Sequence, residues 1–449
     1  MENTNFSSEQ NESYLVKNQG KILNENTGKL KTAPKYRFVV FSLMVLPYLL
    51  VYGGLQITSS LGPDIMHTFG FEEGGLSLFS SLGTMTKAIL SAIAGGLMVK
   101  YGGKRIVLVG LAVSAISGLL YILAPTNFTM LSFVRILQGA GGGMIAACLM
   151  SLICVWFPKK ERGTAQSALT CFFGLSVSAV TFYIYLCGNA GIVWNRMIGI
   201  WLLVGGGVML VLIAFLYKDI EKKYGVASID DALEPQDNEV EAVRAIPIQS
   251  FKAPEWANVM KFPGFWLTII MIFFSGACLY GVGFVMPLFL QSIGFDTAGI
   301  TSVMSLGPLS SIIFALLGGT ISDRVFHSKR TEVAMISYFG CAALFMVMFF
   351  SGHATSVTMM TVLFFLAYGT LYFSSGPLWC IPAEVVRLKD ASKNMGICVM
   401  VSGFGGFAMM LVFGILIQYT SAAIGGFFLA FCMVMVAVCA VILKRAYSI

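Results

Sequence analysis

The sequence predicts an all-α membrane protein of twelve transmembrane helices, arranged as two pseudo-symmetric halves of six. Three observations carry that expectation. The first is composition: of 449 residues, 57% are hydrophobic and 11% charged, against about 25% charged in soluble domains, which excludes a water-soluble globule. At about 20 residues per crossing, twelve crossings occupy about 240 residues, close to the apolar share of the chain. The second is the regular alternation of apolar runs with short polar breaks. The third is internal repetition: Gly70-Phe71-Glu72 returns 224 positions later as Gly294-Phe295-Asp296, Ser81-Leu82-Gly83 as Ser305-Leu306-Gly307, Gly95 as Gly319, and Lys100 as Arg324.

Taken in order, residues 1–36 form a polar tail rich in Asn, Glu, Ser and Lys, with no apolar core of a cleaved leader. The first apolar helix is then itself the insertion signal. Spans 1 to 6 are predicted near 37–60, 76–99, 106–124, 128–156, 164–187 and 196–217, making an N-terminal half over 37–217. Residues 218–262 carry nine acidic and six basic residues, three prolines and no apolar run, and read as a cytoplasmic linker. Spans 7 to 12 follow near 263–291, 299–321, 332–351, 357–380, 395–419 and 424–443, a C-terminal half over 263–443, and residues 444–449 form a short tail.

Charge placement gives the orientation. Of 29 Lys and Arg residues, 26 fall in the two tails, the linker and the loops on one side, and Arg196 alone lies in a loop on the other. The positive-inside rule then puts both termini in the cytoplasm, and the net charge of +7 needs no nucleic acid to explain it. The ten cysteines lie within or at the ends of apolar runs, with no CxxC pair and no Cys/His spacing suited to metal. No disulfide framework, metal or cofactor is expected. The absence of a GxxxxGK[ST] loop argues against an ATP-driven pump, and the absence of a catalytic His, Asp, Glu or Cys cluster at membrane depth argues against an enzyme.

None of the 22 acidic residues falls in the middle of a span, and His67, His327 and His353 all lie in loops. Two full charges remain inside the membrane, Lys87 on span 2 and Arg135 on span 4, and placing each there costs about 2.5–3.5 kcal/mol on insertion scales. An anionic ligand approached by both residues would offset that cost, Arg through its planar fork and Lys as a point charge. For each residue a second reading stays open: helix packing or conformational coupling for Arg135, and snorkelling or pairing with backbone carbonyls for Lys87.

Four motifs then carry a resemblance. Gly95-Gly96-Leu97-Met98-Val99-Lys100-Tyr101-Gly102-Gly103-Lys104-Arg105 follows span 2, and Gly318-Gly319-Thr320-Ile321-Ser322-Asp323-Arg324 follows span 8. Arg135-Ile136-Leu137-Gln138-Gly139-Ala140-Gly141 lies on span 4, and Phe157-Pro158-Lys159-Lys160-Glu161-Arg162-Gly163 precedes span 5. With them the chain resembles the major facilitator superfamily over residues 37–443. The resemblance implies alternating access, in which two halves rock about a site near the midplane. It also implies a cytoplasmic latch built from Gly95, Lys100, Gly102 and Arg105 in the first copy and Asp323 and Arg324 in the second. The family's acidic residue is replaced by Val99 in the first copy, so a one-sided latch is expected.

The family's cavity is lined mainly by spans 1, 4, 7 and 10, which directs attention to stripes on those helices. Span 1 offers Tyr48, Tyr52 and Gln56; span 7 offers Tyr280, Phe284 and Gln291; span 10 offers Tyr368, Tyr372, Ser375 and Trp379. Each stripe alone also reads as packing or as an interfacial belt. Together with Lys87 and Arg135 they point to a secondary transporter for a small-molecule organic anion, most simply a carboxylate, in the cytoplasmic membrane. Proton symport and anion exchange are the coupling modes left open, together with facilitated diffusion. The runner-up is a drug or metabolite exporter working as a proton antiporter, disfavoured by the missing proline-glycine signature in 164–187 and by the buried positive charge. The partners expected are the anion, a proton or counter-anion, and the lipid bilayer, with no nucleic acid and a monomeric state.

Overall fold

The computed structural model describes residues 33–70, 73–123, 127–220, 228–229, 255–295, 297–351, 356–387 and 390–447. The tail before residue 33 and most of the 218–262 linker lie outside the described residues. Within them the chain is helical and contains no strand. The six spans of the N-terminal half are Tyr36–Ser60, Glu73–Tyr101, Gly103–Leu123, Phe128–Trp156, Lys159–Asn189 and Trp194–Leu216. Those of the C-terminal half are Pro263–Ser292, Thr297–Arg324, Arg330–Ser351, the pair Val357–Phe373 and Ser375–Glu384, Ala391–Tyr419, and Ala422–Tyr447.

Local chemistry accounts for where these helices start and stop. The Asn127 side chain accepts from the Thr129 N–H at the start of span 4, the Ser356 side chain does the same for Met359 at the start of span 10, and Pro263 opens span 7 where no N–H partner is needed. Gly102, at φ +84°, makes the turn between spans 2 and 3 that a side chain would strain. Between spans 1 and 2 the chain adds a short helix, Gly62–Phe69, carrying Asp64 and His67, where the sequence suggested a loop.

Two spans depart from the sequence reading in an instructive way. Among the described residues eleven helices are long and apolar enough to cross a membrane, and span 5 is not one of them. Its first turn carries Lys159, Lys160, Glu161 and Arg162, and its polar residues Gln166, Ser167 and Ser176 are fully buried against the rest of the bundle. Span 10, predicted as continuous over 357–380, breaks at Ser374. Pro377 has no N–H to give the Phe373 carbonyl, and that carbonyl sits directly against Gly318 of span 8, which has no Cβ to obstruct it.

Each half has its own apolar core. One gathers Val134, Cys148, Trp156 and Leu202; the other gathers Phe289, Phe345, Phe364 and Leu429. Spans 2 and 4 pack through small residues, with Gly139 against the backbone of Gly83 and Gly143 against the Lys87 carbonyl. The start of span 1 is tied to the start of span 5 by Arg37 and Glu161 at 3.0 Å, and the end of span 12 to the start of span 9 by Lys444 and Glu332 at 3.1 Å. These contacts define the end of the bundle at which the chain enters and leaves.

Candidate functional site

A cavity lies between the halves at mid-depth, with about 890 Å³ of atom-free space counting the part open to solvent. Lys87 lies in its wall, fourteen residues from either end of its helix. At 1.5 Å per residue that is about 21 Å from each end. The residue is 6% exposed. Its ammonium stands 3.9 Å from the centroid of the Tyr52 ring, a cation–π contact, and it makes no ion pair among the described residues. No carboxylate is among the described residues that line the cavity.

The walls around Lys87 are aromatic and hydroxylated. On the N-terminal side Tyr48 and Tyr52 stand with ring centroids 4.5 Å apart, with Thr84 and Thr170 beside them. On the C-terminal side are Tyr280, Tyr338, Tyr372 and Trp379, with Ser275 and Ser402. The Ser275 and Tyr338 hydroxyls share a hydrogen bond of 2.8 Å, and Thr170 and Ser375 share one of 3.1 Å across the two halves. The break in span 10 helps here: it starts a new helix at Ser375, placing Ser375 and Trp379 in the cavity wall.

Of the residues singled out in the sequence, Lys87, Tyr48, Tyr52, Tyr280 and Tyr372 meet in this cavity. Tyr368 does not line it but stacks on Tyr372, ring centroids 5.0 Å apart, and buttresses that wall. The side chains of Gln56 and Phe284 lie outside the described residues. Arg135 is not brought to the cavity. It is 1% exposed within the N-terminal half, where its Nη1 donates to the Thr58 hydroxyl at 2.9 Å and to Gln138 Oε1 at 2.8 Å, while Gln138 donates to the Gly54 carbonyl at 2.8 Å. Gly83 leaves room for the guanidinium. Neutral oxygens on spans 1 and 4 thus hold Arg135 where the sequence suggested a ligand. Tyr338, Ser275 and Thr84 were not anticipated; the pair Ser337-Tyr338, polar in the middle of an otherwise apolar span 9, was the available signal.

Toward the chain-termini end the cavity is sealed by two contacts between the halves. In the first, Asp323 accepts from the Gly163 N–H at 3.3 Å, the Thr164 N–H at 2.6 Å and the Thr164 hydroxyl at 2.7 Å, all on span 5. Asp323 is ion-paired with fully buried Arg330, whose Nη2 donates to the Lys159 carbonyl at 2.7 Å and whose Nε lies 3.5 Å from Glu384. In the second, Gly95 of span 2 packs on the Ser392 carbonyl and on Gly396 of span 11, and the Ser91 hydroxyl shares its proton between the Ala88 carbonyl of its own helix at 2.6 Å and the Gly396 carbonyl at 3.2 Å. Lys100, Arg105 and Arg324 are exposed, and neither Arg105 nor Arg324 makes an ion pair among the described residues.

Two six-helix halves closed against each other at one end, around a central cavity with a charge in its wall, make the architecture of a membrane carrier. The family model of the Major Facilitator Superfamily matches residues 44–381, and the chain belongs to that family, a multi-pass membrane transporter and not an enzyme. It is similar to the 3-(3-hydroxy-phenyl)propionate transporter of Escherichia coli (strain K12), 23% identical over 374 residues that cover 83% of this chain and 85% of that protein. It is also similar to a quinolone resistance transporter of Acinetobacter baumannii, 24% identical over 334 residues covering 69% of this chain and 70% of that one. Among solved structures, the proton:xylose symporter XylE bound to 6-bromo-6-deoxy-D-glucose matches with a TM-score of 0.72 at 14% identity, over 93% of this chain and 97% of that one. That likeness is one of fold.

Proposed function

We propose that this transporter moves an organic anion, a carboxylate with an apolar aromatic body, across the cytoplasmic membrane by alternating access, either in symport with protons or in exchange for another anion. The observation that carries the reading is Lys87, a buried cation at mid-depth with no carboxylate among the described residues around it. A carboxylate would take the place the Tyr52 ring now fills. The tyrosines and Trp379 would stack against the substrate body, and the Ser275–Tyr338 pair offers hydroxyls at the far wall. The relative that transports 3-(3-hydroxy-phenyl)propionate has a substrate of this shape. The basic loops support placing both termini in the cytoplasm, which would put the sealed end on the inner side.

The second reading is export of a drug or metabolite by proton antiport. The aromatic walls and the quinolone resistance relative favour it, while Lys87 opposes a cationic cargo. Thermal-shift titration of the detergent-purified protein with aromatic carboxylates, their uncharged amides and aromatic amines separates the two. Carboxylates should stabilise the wild type, and Lys87→Ala should weaken binding by about 10- to 150-fold, as expected for loss of a charge-assisted bond of about 1.5–3 kcal/mol. Equal stabilisation by the amides, or Lys87→Ala and Lys87→Gln variants that transport the carboxylates as fast as the wild type, would sink the anion reading.

A further inference from the structure

The two buried cations of the N-terminal half are held in different ways. Arg135 donates to Thr58 and Gln138, acceptors within its own half. Lys87 has the face of Tyr52 and no hydrogen-bond acceptor among the described residues. It also sits at the moving boundary. Its neighbour Ala88 faces Gly403 of span 11, and one turn on, Ser91 and Gly95 meet Gly396 and Ser392. When a carrier of this build changes sides, the wall opposite Lys87 closes over it. Sealing a lone ammonium is far costlier than a cation–π contact can offset. Sealing an ammonium with one carboxylate on it closes a neutral pair. A dicarboxylate would leave one negative charge sealed in its place.

Resting on the anion reading above, we infer that the carrier crosses between its two states only when loaded, and so acts as a one-for-one exchanger of monocarboxylates. The counter-anion occupies the same site as the substrate and meets the same Lys87. Tyr52 serves as a resting place for the ammonium in the open, empty cavity and does not replace the anion during the crossing.

The test uses the full-length wild-type protein in liposomes, with labelled 3-phenylpropionate outside, the membrane potential clamped, and protein-free vesicles as the leak baseline. Unlabelled 3-phenylpropionate inside should speed uptake by about tenfold or more over vesicles holding buffer alone, which corresponds to about 1.4 kcal/mol between loaded and empty crossings. Phenylsuccinate inside should not substitute for it. Uptake into buffer-filled vesicles that matches exchange, or that is driven by acid outside, overturns the inference in favour of diffusion or proton symport. Equal stimulation by phenylsuccinate overturns its monocarboxylate part. A thermal-shift titration on the same preparation keeps the two ideas apart: if 3-phenylpropionate binds and exchange is absent, only the exchange inference falls; if neither it nor other aromatic carboxylates bind, the anion reading falls with it.

Discussion

The two contacts that seal the cavity are related by the internal repeat, yet they use different physics. Where spans 8 and 5 meet, an acid does the joining: Asp323 takes two backbone N–H groups and a hydroxyl from the first turns of span 5, and Arg330 and Glu384 complete a buried charge cluster. Where spans 2 and 11 meet, the positions 224 residues earlier hold Val99 and Ile106 in place of Asp323 and Arg330. The join there is steric, glycine against glycine, with the Ser91 hydroxyl as its polar element. A charged latch is strong but directional, and it fails when one partner is lost. Close backbone packing is non-directional and fails when volume is added.

That contrast is tested most severely at Asp323. Asp323→Ala leaves Arg330 buried with its main counter-charge gone, a loss of about 3–5 kcal/mol for a broken buried pair, borne by the sealed state. Spin labels at exposed Lys160 and Val325, on opposite sides of this contact, should report a longer and broader distance distribution than in the wild type. If the distribution is unchanged, the charge cluster is not what closes this side, and the difference between the two contacts is only one of appearance.

The steric contact is broken by the opposite operation. A Cβ on Gly396 would already overlap the Ser91 carbonyl and lie 3.1 Å from the Gly95 Cα, so Gly396→Val should cost the sealed state about 1–3 kcal/mol, the usual range for overpacking. Ser91→Ala should cost less, about 0.5–1.5 kcal/mol for one neutral hydrogen bond. Labels at Tyr101 and Lys393, across spans 2 and 11, would report opening in Gly396→Val; if Ser91→Ala opens the contact further than Gly396→Val does, the join is polar after all.

How far the sequence reached follows the same division between charge and shape. Apolar runs located twelve spans, span 5 included, and the family's motif, set against its second copy at Asp323, located the missing acid at Val99, because hydropathy and charge are written in residue types. Lys87 was singled out as a charge that a membrane interior does not tolerate without cause, and Tyr48 and Tyr52 as a stripe on a helix that the family resemblance names as lining the cavity; all three lie in the cavity wall. Arg135 was drawn toward the cavity because its partners Thr58 and Gln138 are ordinary neutral residues whose direction only packing decides. Tyr338 was passed over because span 9 was not counted among the lining helices, and the break in span 10 because a proline alone does not say whether a helix bends or stops. The linker expected at 218–262 lies mostly outside the described residues.

The smallest expected effect is also the finest test of the comparison. Val99→Asp restores the acid that the first copy lacks, near the start of span 11, and a carboxylate at a helix N-terminus is worth about 0.3–1 kcal/mol. The start of span 11 is not vacant, however. Asp390 immediately precedes its first residue, 5% exposed and paired with Lys393 at 2.9 Å. A second carboxylate there gains from the helix end and loses to Asp390. The two contributions nearly cancel, so the ratio of open to sealed forms, read from labels at exposed Tyr101 and Met260 that leave Lys393 in place, should move by less than about threefold, or about 0.6 kcal/mol. A much tighter seal would mean that the first copy still accepts the charged latch and has merely lost the residue. A looser one would mean that Asp390 holds the place of Asp323 from the other side of the joint, so that the acid was moved across the interface and not lost.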